Sequence, residues 1–256
     1  MSPDLRARRS TAGWLRPAGS DPDARAALFL FHYSGGGVSM YSRWPGFLPP
    51  SVECRRVQLP GRQDRLEEPA FTELAPLVTA LCEVISRELD GRPYALFGHS
   101  MGALLAYRVA VAMEARGPRP ALLGVSGWAP EGFSMPGRAL VEGPAEGIVA
   151  LLRELGTLPG GDLDPELSAR VVASMRADLA VCAGYRDDRA RVGCPLVAYG
   201  GRDDPYLAPG ALRSWASRGD GFLGVREFPG GHFFIHDHGP GIAMDLVQLL
   251  HRHIAG

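Results

Sequence analysis

Apolar residues fall in short runs along this chain, each ended by glycine or proline, and the longer stretches between them repeat with a helical period. Residues 27–33 (ALFLFHY) make the first run and stop at Ser34-Gly35-Gly36-Gly37, which predicts a buried strand feeding a loop. Before them the chain is polar and reads as a mobile start. Residues 53–59 alternate more weakly and close at Pro60-Gly61, a second strand. From Phe71 the apolar positions 71, 74, 77, 78, 81, 85 and 89 keep the 3.6-residue period, so an amphipathic helix should stop near Asp90-Gly91. Tyr94-Ala95-Leu96-Phe97 is the next strand. It is followed by a helix from about Met101 to Arg116, strands near 121–127, 195–200 and 222–228, and a final helix from about 241. Such alternation predicts an α/β fold, a mostly parallel sheet flanked by helices on both faces. Between Pro130 and Arg191 the rhythm breaks: helical segments at roughly 145–155 and 165–182 follow one another with no strand between. An inserted helical lid over about 130–191 is the expectation.

At 256 residues and 46% apolar content, residues 1–256 suit a single domain with one substantial core. The net charge of −1 supplies no field to hold nucleic acid or an acidic membrane, so partners must be recognised locally. All 27 basic residues are arginine. Without lysine, Schiff-base chemistry, pyridoxal phosphate anchoring and a Walker A loop are excluded. Cys54, Cys82, Cys182 and Cys194 stand far apart and read as reduced, structural thiols. No stretch approaches the ~18 apolar residues of a membrane span and no signal-type apolar region follows the first arginines, so a cytoplasmic protein is expected.

The strongest local signal is Gly98-His99-Ser100-Met101-Gly102, a G-x-S-x-G lying directly after a strand and before a helix. That context forces a sharp turn which projects a serine hydroxyl, and its glycines avoid collision with the neighbouring strand and helix. Ser126, in Gly124-Val125-Ser126-Gly127, lacks the second spacing. A serine nucleophile needs a base, itself oriented by an acid, and in this arrangement both follow in the chain. Among His232, His236, His238, His251 and His253, His232 is preferred because it follows the turn Pro229-Gly230-Gly231 after the last strand. The acid belongs in the loop Gly200-Gly201-Arg202-Asp203-Asp204-Pro205; Asp204 is preferred to Asp203 because Pro205 restricts its backbone. The oxyanion donors are expected from the backbone of Met101 and of a residue near Ser34. Gly35-Gly36-Gly37 fails as a dinucleotide loop, since Met40 stands where G-x-G-x-x-G needs glycine. A metal site at His232, His236 and His238 is disfavoured by the apolar Phe233-Phe234-Ile235 between them, so neither metal nor cofactor is expected.

With these residues placed, the chain from about Trp14 to the last helix resembles the type II thioesterases of polyketide and nonribosomal peptide synthesis, members of the α/β-hydrolase superfamily. Beyond the serine motif, the likeness rests on Ser34-Gly35-Gly36, Leu59-Pro60-Gly61-Arg62, Arg176-Ala177-Asp178-Leu179 with Tyr185, Gly201 to Pro205, and Gly230-Gly231-His232-Phe233-Phe234. It implies hydrolysis of acyl thioesters from the phosphopantetheine arm of a separate acyl or peptidyl carrier protein, by Ser100, Asp204 and His232, in an editing or release role. The family usually has proline and then alanine before its paired glycines; here His32-Tyr33-Ser34 precedes them, leaving the second donor open between Ser34 and Gly35. Arg62 has two readings: a contact to the carrier's phosphate, or a structural ion pair with Glu67 or Glu68. An esterase or acyltransferase acting on a small diffusible acyl ester or thioester is the alternative function.

Overall fold

The computed structural model describes residues 13–17, 19, 21–134, 140, 142–154 and 164–254. Its strands are β1 (Leu15–Arg16), β2 (Ala26–Phe31), β3 (Val52–Val57), β4 (Tyr94–His99), β5 (Leu122–Ser126), β6 (Leu196–Gly201) and β7 (Phe222–Phe228). They form one seven-stranded sheet in the order β1-β3-β2-β4-β5-β6-β7. Every neighbouring pair is parallel except β1 with β3. The helices are α1 (Leu74–Glu88), α2 (Met101–Glu114), α3 (Ala145–Glu154), α4 (Pro165–Ala183) and α5 (Ile235–Ile254). Among the described residues no helix is long and apolar enough to cross a membrane.

The strands expected from the apolar runs all form. β2, β4 and β5 are buried along their whole lengths because helices cover both faces. One face packs on α1 and α2 through residues such as Leu81, Leu104 and Tyr107, the other on α5 through Ile242, Leu246 and Leu250. Register then gathers the chemistry: Phe31 pairs with Gly98, His99 with Ser126, Ser126 with Tyr199 and Gly201 with Phe228. The loops leaving β2, β4, β6 and β7 therefore emerge along the carboxyl edge of the sheet, where open α/β sheets build their sites.

Two expectations change. The last helix begins at Ile235, well before 241, and carries Pro240 inside it. Its buried positions Ile235, Gly239, Ile242, Ala243 and Leu246 form one stripe on the sheet, and that burial outweighs the ladder bond lost at proline. The polar start includes β1, whose Leu15 pairs with Val57 and is buried beside Trp14. Between β5 and β6 the described chain carries α3 and α4. Their facing residues Ile148, Leu151, Leu152, Val172, Met175 and Leu179 make a small core of their own. Residues 135–139, 141 and 155–163 of the expected 130–191 insertion, Leu155 among them, lie outside the described residues.

Candidate active site

Ser100 sits between β4 and α2 with φ 56° and ψ −119°, a backbone conformation that residues with a side chain rarely adopt. The turn is over-determined by its surroundings. A Cβ on Gly98 would lie 1.9 Å from the Gly102 carbonyl oxygen, and one on Gly102 would lie 2.1 Å from that of Phe31. Ser100 N–H donates to the Ser126 carbonyl of the next strand at 2.7 Å. Packing on both sides thus holds a strained serine at the sheet edge.

The Ser100 hydroxyl donates to His232 Nε2 at 3.0 Å, and His232 Nδ1–H donates to Asp204 Oδ2 at 2.8 Å. A carboxylate can only accept, so Asp204 sets the tautomer and leaves the Nε2 lone pair facing serine. Tyr206 N–H donates to the other Asp204 oxygen at 2.9 Å, which fixes the carboxylate in turn. Asp204 and His232 are buried, whereas Asp203 is exposed and engages the Gly230 carbonyl through its backbone N–H. The other histidines go elsewhere: His236 lies 3.3 Å from the Tyr33 hydroxyl and His238 reaches the Pro229 carbonyl. His251 and His253 are exposed near the end of α5.

Several residues that the sequence reading assigned no part in the site support this arrangement. His99 is fully buried, with Nδ1 2.9 Å from Ser126 Oγ and its ring centroid 5.1 Å from that of His232. Burial, with the charges of His232 and His236 adding, holds the His99 pKa well below the ordinary range, so it stays neutral beside His232. Ser126 is a support for the turn through both its carbonyl and its hydroxyl. Tyr206 and Phe233 meet the His232 ring edge-on at centroid distances of 4.9 and 5.0 Å.

Arg62 is not a surface arginine. It is 6% exposed and makes a bidentate pair, at 2.6 and 2.7 Å, with Asp178 of α4, itself 2% exposed. Neither expected partner is used: Glu68 pairs with Arg65 and Glu67 with Arg170. Docking of α4 over the loop brings Asp178 to Arg62 from far along the chain and occupies the guanidinium in a buried pair at the edge of a groove that Arg62 also lines. A signal for this was present in the sequence. Met175, Asp178, Leu179 and Cys182 share one helical stripe, and an acid on an apolar face needs a buried partner.

The loop from Ser34 to Gly37 closes the other side. Gly35 N–H already donates to Asp178 Oδ2 at 2.7 Å. Ser34 lines a small cavity of about 40 Å³ together with Ser100, His232, Leu151, Met175 and Leu179. A groove of about 850 Å³ adjoins it across Tyr33, bounded by the loop from Gly35 to Phe47, by α4 and by the start of α5.

The thioesterase domain model matches residues 26–250. The chain belongs to the thioesterase family. This thioesterase is similar to Thioesterase PikA5 of Streptomyces venezuelae, 34% identical over 93% of the chain and 85% of that protein. It is 30% identical, over 96% of both chains, to Linear gramicidin dehydrogenase LgrE of Brevibacillus parabrevis. The structure of the type II thioesterase BorB from the borrelidin biosynthetic cluster matches with a TM-score of 0.80 and 31% identity, covering 93% of this thioesterase and 97% of BorB. Its fold is that of the α/β-hydrolase thioesterases, and it hydrolyses thioesters.

Proposed function

We propose that this thioesterase removes acyl groups from the phosphopantetheine arm of a separate acyl or peptidyl carrier protein, as an editing or release step in polyketide or nonribosomal peptide synthesis. In this reading Ser100 is the nucleophile, His232 its base, Asp204 the orienting acid, and the backbone N–H groups of Met101 and Ser34 the oxyanion donors. The observation that carries it is the hydrogen-bonded chain Ser100, His232, Asp204 at 3.0 and 2.8 Å inside a thioesterase-family fold. His232 takes the Ser100 proton as Oγ attacks the thioester carbonyl. The negative charge that develops on the carbonyl oxygen is met by the two N–H groups and by the N-terminus of α2. His232 then protonates the leaving pantetheine sulfur, and water, activated by the same histidine, hydrolyses the acyl-serine. Ser34 is preferred to Gly35 as the second donor, because the Gly35 N–H is spent on Asp178.

The carrier reading is supported by BorB's description as a type II thioesterase of a biosynthetic cluster and by the large groove adjoining the serine cavity. A long, flexible arm needs such an approach, and its contacts remote from the carbonyl can hold the thioester in line with Ser100. The serine cavity is small and narrow, and its wall over Ser100 is made by Leu151 of α3 with Met175 and Leu179 of α4. An acyl group entering beside Ser100 meets this helical cover first, and we assign the lid role to the insertion that carries α3 and α4 on that ground. Hydride transfer, the activity in LgrE's name, would call for a glycine loop opening onto a long helix that cradles phosphate. Here the glycines run into a four-residue 3₁₀ turn, Val38–Tyr41. The test compares kcat/KM for one acyl group presented on a carrier protein, on coenzyme A and as an oxygen ester. The carrier-bound thioester should be preferred; equal values for all three would favour a general esterase.

A further inference from the structure

The loop that carries Ser34 is gripped by buried polar groups that do not touch the reacting atoms. The Tyr33 carbonyl accepts from Gly36 N–H at 3.0 Å and from His32 Nδ1–H at 2.9 Å. A trans peptide points its C=O and N–H in opposite directions, so tying that carbonyl back into the protein aims the Ser34 N–H away from it. The following peptide is held from the lid, where Gly35 N–H meets Asp178 Oδ2. Arg62 completes the clamp by binding both Asp178 oxygens and, at 3.2 Å, the Gly36 carbonyl. One turn on from Asp178, Cys182 Sγ lies 3.9 Å from Ser34 Oγ. Gly35 has φ +73°, and a Cβ there would lie 3.0 Å from both Met175 Sδ of α4 and Leu152 Cδ2 of α3.

The two cover helices therefore differ in what their departure would cost. Lifting α4 would remove the acceptor of Gly35 N–H and break the bidentate pair of Asp178 with Arg62 as well as parting apolar surfaces. At the loop, α3 presents the Leu152 side chain, an apolar contact that can be broken and remade.

We infer that Asp178, clamped by Arg62, is a positioning residue that sets the Ser34–Gly35 backbone for oxyanion binding, so that α4 stays docked through turnover while α3 yields to the acyl group. The inference rests on the catalytic reading of Ser100 and Ser34 given above. Asp178→Asn keeps the shape and one acceptor but removes the charge that holds Arg62. It should lower kcat about 10- to 100-fold with KM within about threefold, and weaken binding of an alkyl boronate, whose tetrahedral serine adduct uses the same donors, by a similar factor. The double variant Arg62→Met, Asp178→Leu replaces the buried pair by apolar groups and should keep thermal stability near that of the wild type while kcat remains depressed. Recovery of wild-type kcat in that double variant, or an unchanged kcat in Asp178→Asn, would overturn the inference. Hydrogen exchange of the wild-type enzyme, phosphonylated with a long-chain alkyl fluorophosphonate whose fluoride leaves as the serine oxygen bonds phosphorus, tests the helices directly. Residues 145–154 should exchange faster after phosphonylation and 172–182 should not; faster exchange along 172–182 would also overturn it. Ser100→Ala run in parallel separates the two levels. Retained turnover there removes the catalytic reading itself, whereas an inactive Ser100→Ala beside a wild-type-like Asp178→Asn removes only the positioning role.

Discussion

The sheet edge and the helical cover hold the same cavity by different means. On the sheet side, Ser100, Asp204 and His232 leave the ends of β4, β6 and β7, and the strained serine turn is locked by backbone contacts that a single methyl group would break. Behind it lies the main core, in which Phe97, Leu104 and Val125 are buried. Among the described residues the cover has a separate cluster of six buried apolar residues and a buried ionic clamp, Arg62 with Asp178. On the proposed mechanism, attack by serine needs geometry fixed within fractions of an ångström, whereas admission of an acyl group beside it is served by a wall that gives way. On the proposed reading, rigidity and compliance lie on opposite sides of the thioester carbonyl.

The sharpest way to break this comparison is at the serine. Ser100→Ala should fold as the wild type and lose about 10³-fold or more in kcat, measured on an acyl-carrier thioester with circular dichroism as the check on folding. Acylation trapped on any other residue would move the chemistry off the sheet edge. A smaller effect, about 10²-fold or more, is expected of Asp204→Asn, which loses the group that sets the His232 tautomer. Asp203→Asn should stay within about threefold, since that side chain is exposed; a reversed order would relocate the acid.

Stability against pH sharpens the comparison from the loop side. Burial, with the charge of Arg62 adding, pushes His32 from its ordinary 6.5 down to about 4. The unfolded chain then takes up a proton that the folded chain refuses, so this contribution is complete above about pH 6.5 and is lost as the pH falls toward 4. It amounts to about 3 kcal/mol, and His99 acts in the same direction. Urea midpoints should fall from pH 7 to pH 4.5, and His32→Gln should flatten the fall. The smallest contrast compares one leucine from each region. Leu104→Ala in α2 should cost about 2–5 kcal/mol of global stability. Leu152→Ala in α3 should cost less, because a helix able to open locally passes only part of its loss to the whole fold. Equal costs in urea unfolding would mean that the cover belongs to the same cooperative unit as the sheet.

Much of the sheet side was legible in the chain. Apolar runs ending in glycine give the strands, and G-x-S-x-G between a strand and a helix gives the serine, because only glycine fits where Gly98 and Gly102 nearly touch neighbouring backbone. His232 and Asp204 followed from their places in loops after strands. The start of α5 was missed, since glycine and proline at 239 and 240 read as a break until the sheet supplied a surface for Ile235 and Ile242 to cover. For Arg62 the structural ion pair holds, but its partner was misread for a related reason. Its neighbours in sequence offered carboxylates, but those are engaged by Arg65 and Arg170.

Strand and helix periods and tight turns are local matters of sterics and burial, so the elements, and the place of Ser100 at a sharp turn between two of them, were readable from the chain. That Asp178 of a distant helix binds Arg62 and Gly35 was not readable from the chain, and on the mechanism proposed above this leaves Ser34 as the second donor. Those contacts arise when α4 docks on the loop. A buried charge takes whichever partner the fold brings within reach, and spacing along the chain does not encode that choice.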